Sequence, residues 1–76
     1  MFKKMKLKKA IKTCKNEIDF LESKRSRSQS ALVQAILQHK DPDETDVEFF
    51  NKYTAQIDET RERMHALQRE LDELDA

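Results

Sequence analysis

Two stripes of apolar residues, stepping by alternating threes and fours, lie on either side of the only proline in the chain. The first is Leu7, Ile11, Cys14, Ile18, Leu21, Leu32 and Ala35. The second is Phe50, Tyr53, Ile57, Met64, Leu67, Leu71 and Leu74. A mean step of about 3.5 residues keeps one stripe of a helix against a neighbouring helix over many turns. With no glycine anywhere and Pro42 alone between the stripes, the expected fold class is all-α. Residues 1–76 read as a single antiparallel two-helix hairpin, coiled-coil-like in its packing. Helix 1 is expected over about 3–39, a bend over about 40–45, and helix 2 over about 45–74. At ~1.5 Å per residue, each arm is roughly 45–55 Å long.

The bend carries two helix-start signals. Asp41-Pro42-Asp43-Glu44 offers a capping aspartate before a proline at the first helical position, and Thr45-Asp46-Val47-Glu48 repeats a capping-box pattern four residues later. Asp41 is the expected cap, because the missing N–H of Pro42 then costs nothing. The polar run Ser23 to Ser30 interrupts the apolar stripe but leaves its phase unchanged. It therefore reads as the middle of one continuous helix.

Antiparallel pairing sets Ile11 opposite Leu74, Ile18 opposite Leu67, Arg25 opposite Thr60 and Leu32 opposite Tyr53. The alternate layers join Cys14 to Leu71, Leu21 to Met64 and Ser28 to Ile57. In this register Glu22 meets Arg61 and Lys8 meets Asp75. On the other flank Glu17 meets Glu70 and Lys24 meets Arg63, a clash that would be relieved if that flank faced a second chain. Arg25 falls in the seam, where a long side chain can reach outward or find a carboxylate such as Glu22 or Asp58.

A chain of 76 residues rarely sustains itself on one thin seam. Association is therefore expected, either as a homodimer completing a four-helix bundle or with a helical protein partner. The candidate contact surface lies near the bend: Val33, Ile36 and Leu37 on helix 1, with Val47 and Phe49 on helix 2, fall largely outside the seam, and Phe50 joins them from the seam stripe. Phe20 would extend it.

Seven lysines and no acidic residue occupy positions 1–15. One reading is that they pair with Glu70, Asp72, Glu73 and Asp75 at the far end of helix 2. Another is phosphate contact through Lys3, Lys4, Lys6, Lys8 and Lys9, joined by Arg25 and Arg27, in a nucleic-acid-binding protein. Met1, Phe2 and Met5 among the lysines add a third, weaker reading, a membrane-surface anchor. No run approaches the ~20 apolar residues of a membrane span. One cysteine, Cys14, excludes an internal disulfide and fits a reducing compartment, so the cytoplasm is expected. His39, His65 and Cys14 share no metal-ligand spacing, and neither a phosphate loop nor an activated nucleophile is present. The expected function is thus non-enzymatic protein–protein interaction without a cofactor, as a small adaptor, chaperone or regulator.

Overall fold

The computed structural model describes residues 2–75. Helix α1 spans Phe2–Leu37 and α2 spans Glu44–Asp75, packed against each other along their length in a hairpin whose extents are 56 × 17 × 15 Å. Good helix formers such as lysine, arginine, glutamate, leucine, glutamine and alanine make up more than half of each helix, and neither contains glycine or proline. The polar run Ser23 to Ser30 lies inside α1 without interrupting it.

The first helix stops without glycine. His39 takes up the left-handed conformation, with φ of 56°. Its N–H bonds the carbonyl of Ile36 at 3.1 Å, and the N–H of Lys40 reaches back to the carbonyl of Ala35 at 2.8 Å. These two bonds form a Schellman cap, the motif that usually places glycine where His39 stands. A side chain with a Cβ is strained there by about 1–2 kcal/mol. Part of that relief is lost because glycine also frees the unfolded chain, by about 0.4–1 kcal/mol. His39→Gly should therefore stabilise the hairpin modestly, raising its urea midpoint with an unchanged slope.

The second helix starts two residues later than the favoured cap predicts. Asp43, not Asp41, caps it: the Oδ1 of Asp43 accepts the Thr45 N–H at 3.0 Å, and its carbonyl accepts the Val47 N–H at 3.2 Å. Pro42 thus stands outside the helix, before the cap, instead of at its first position. Asp43 presents an acceptor where two N–H groups of the first turn can both be met. Glu44 and Asp46 then place negative charge at the positive end of the helix dipole.

The core is a single file of apolar side chains between the helices. Leu7 and Ile11 pack with Leu71, flanked by Met64 and Leu67; Ile18 and Leu21 pack with Ile57, flanked by Tyr53 and Met64. This corrects the expected register. Leu71 meets Leu7 and Ile11 where Cys14 was expected, and Ile57 meets Ile18 and Leu21 where Ser28 was expected. The partner of each is centred about one heptad nearer the start of α1. Leu74, expected in the core opposite Ile11, is instead 45% exposed.

The ion pairs change with the register. A slip of one heptad leaves the apolar phase untouched, so the stripes alone cannot distinguish the two alignments. In the alignment adopted, Lys4 Nζ sits 2.6 Å from Asp75 and Lys3 Nζ 3.8 Å from Glu70. Arg61 reaches Glu22 at 3.4 Å, and Arg63 reaches Glu17 at 3.8 Å. The Glu17–Glu70 and Lys24–Arg63 clashes disappear, and with them the argument that this flank needs a second chain. Each exposed pair contributes less than about 1 kcal/mol; Glu22–Arg61 belongs to both alignments, so Lys4–Asp75, Lys3–Glu70 and Glu17–Arg63 are the pairs particular to this one.

Candidate interaction surfaces at the two ends of the hairpin

Near the bend, the apolar side chains are largely uncovered. Exposure is 47% at Val33, 65% at Ile36, 68% at Leu37, 37% at Val47 and 42% at Phe49. Phe50 is half-buried. Val33, Ile36 and Leu37 follow one another at helical steps and make one stripe on α1. Val47 and Phe49 are two positions apart, so they project about 200° apart around α2. They flank the seam on opposite sides. Phe49 stacks on Tyr53 with ring centroids 6.1 Å apart, and a shallow groove beside them is lined by Lys24, Arg27, Ser28 and Asp46. By the same helical geometry Val47 lies on the flank shared with Ile36. The predicted contact residues therefore form two patches, one on each side of the bend-proximal third. Phe20 lies farther along α1, 61% exposed, with the Lys24 ammonium 5.3 Å from its ring centroid.

The middle of the hairpin is polar. Arg25 is half-buried, donates to Thr54 Oγ1 at 3.2 Å and lies over the ring of Phe50 at 5.6 Å. Its guanidinium is held by a hydroxyl and a ring face, while Glu22, one of the carboxylates considered for it, is taken by Arg61. Arg27, two residues on, is exposed. Ser28 and Thr60 are buried in the seam, at 6% and 3% exposure.

At the open end, Lys3 and Lys4 are turned toward α2 and held by Glu70 and Asp75. Lys6, Lys8 and Lys9 are exposed and make no ion pair among the described residues. Phe2 and Met5 are open to solvent, at 82% and 68%. Met1, which completes the anchor considered for this end, lies outside the described residues. Cys14 is buried in the seam, 4% exposed.

A wider pattern emerges once the helix limits are known. The formal net charge is zero, yet α1 carries ten lysines and arginines against three acidic residues, and α2 carries four against ten. The two charges are segregated side by side along the rod. A summed charge conceals this; counting over each predicted helix would have found it. No helix among the described residues is long and apolar enough to cross a membrane. Comparison with protein-family models, with curated proteins and with solved structures gives no match to this chain.

Proposed function

We propose that the protein is a non-enzymatic protein–protein interaction module that self-associates through its bend-proximal third, most simply as a dimer forming a four-helix bundle. The observation that carries this reading is the exposure of Val33, Ile36, Leu37, Val47 and Phe49 within one short stretch of the rod. An apolar concentration of this kind on a small chain marks a contact surface. The hairpin offers little burial of its own: among the described residues seven apolar side chains are buried, one of them nearly completely. A second copy laid against either flank would add the missing apolar contact, and the half-buried Phe50 would join it. Cytoplasmic residence fits the same proposal, since Cys14 is free and buried and needs no oxidising compartment.

Sedimentation equilibrium at micromolar concentration tests it. The wild type is expected at twice the chain mass, and Ile36→Asp combined with Phe49→Asp at the chain mass. Both positions are exposed within the single hairpin, so circular dichroism should still report helix at low temperature. A wild type that sediments as a folded monomer removes the self-association reading.

A further inference from the structure

We propose that the outer face of the first third of α1 docks on an anionic phospholipid bilayer. Phe2, Met5, Lys9 and Lys12 follow one another at three- and four-residue steps and so form one stripe. Met5 and Lys9 each lie two residues from buried Leu7, Lys12 lies two from buried Cys14, and Phe2 stands one heptad before Lys9, so all four fall on the side of α1 turned from α2. Lys6 and Lys8 border this stripe on either side. All six side chains are exposed. The stripe is thus two large apolar groups framed by four ammonium groups, none of them in an ion pair among the described residues.

Charge complementarity names the occupant. The acidic residues at this end are on α2, where Glu70 and Asp75 hold Lys3 and Lys4 on the inner side. The segregation of charge between the helices presents a cationic side to a surface and turns the anionic side away. A polyanion is the natural counterpart, and the apolar pair selects among polyanions. Phe2 and Met5, with 82% and 68% of their surface in water, gain burial by entering the acyl boundary below a layer of lipid phosphates. A nucleic-acid backbone offers the phosphates without that apolar layer. Lysine heads remain at the phosphate level while their stems lie along the apolar boundary. This surface lies at the opposite end of the rod from the proposed self-association patches, and the inference does not rest on them.

Co-sedimentation of the full chain with vesicles tests the assignment. Vesicles of phosphatidylcholine alone should leave the protein in solution, while vesicles containing phosphatidylglycerol should carry it down. Each lysine at such a surface strengthens binding about fivefold. Replacing Lys6, Lys8, Lys9 and Lys12 together by glutamine should therefore weaken binding at least about a hundredfold. Phe2→Ser with Met5→Ser should weaken it about tenfold at physiological salt, where screening leaves the apolar contribution prominent. Lys52→Gln, on α2, should bind as the wild type does. All these positions are exposed, and retained helical dichroism checks that each variant folds. Equal binding to neutral vesicles, no binding to anionic ones, or unchanged binding by the Phe2/Met5 variant overturns the proposal. Tighter binding to duplex DNA than to anionic vesicles at equal salt overturns it in favour of a nucleic-acid surface.

Discussion

Ile57→Ala should remove most of the chain's folding stability and bring it near its unfolding midpoint at room temperature. Ile57 is only 1% exposed, and among the described residues it is the one large side chain sealed almost completely from solvent. It packs against Ile18 and Leu21, with Tyr53 and Met64 closing around it. Truncating such a residue removes its transfer free energy and leaves a cavity, a cost of about 3 kcal/mol. A single core in a chain of this size supplies about 3–5 kcal/mol in all, so the loss consumes most of the stability. Urea unfolding followed by far-ultraviolet dichroism would report it as a collapse of the midpoint. Leu74→Ala supplies the contrast. That side chain is 45% exposed, and its truncation should cost well under about 1 kcal/mol. Equal losses at the two positions would show that the core is not arranged around Ile57.

Met64→Cys should form an intramolecular disulfide with the native Cys14 under mild oxidation, whereas Leu71→Cys should not. The expected effect is close to all or none. Met64 packs against both core clusters, the one containing Ile11 and the one containing Ile18. That places it level with Cys14, which lies between those two residues in α1. Leu71 packs one heptad away, on Leu7 and Ile11. In the alternative alignment the roles reverse, with Cys14 facing position 71. Two cysteines whose Cα atoms are more than about 7 Å apart cannot join without backbone movement, and one heptad is a displacement of about 10 Å along the helix. Non-reducing electrophoresis with a free-thiol count reads the outcome at protein concentrations too low for exchange between chains. A disulfide in Leu71→Cys and none in Met64→Cys would overturn the register described above.

The same two positions show where the sequence is sufficient and where it falls short. A step averaging about 3.5 residues, the absence of glycine and one proline near the middle leave two helices with a bend as the economical fold. The side of each helix that is buried, from Leu7 to Leu21 and at Ile57 and Leu71, was legible for the same reason: which face turns inward is a local property of spacing. Arg61 meeting Glu22 was legible too. The cap was not, because Asp41, Asp43 and Thr45 all carry a suitable oxygen, and only the path of the chain into α2 gives the bond to Asp43.

Surface character was partly legible. The apolar residues near the bend stood out from the seam pattern. Their division into two flanks follows from the two-residue step between Val47 and Phe49, once α2 is known to include both. The cationic and anionic sides were hidden by a total charge of zero. A count over each expected helix separates them, and the packing of α1 beside α2 turns that separation into two sides of one rod.

Register is what the tertiary structure alone decided. Apolar burial repeats every seven residues, so it fixes the rotation of each helix but does not by itself say which heptads face each other. The terms that distinguish those alignments are non-local: Lys4 on Asp75, Glu17 on Arg63, Arg25 on Thr54 and Phe50. Each is small, and each exists only after the two helices have been brought together.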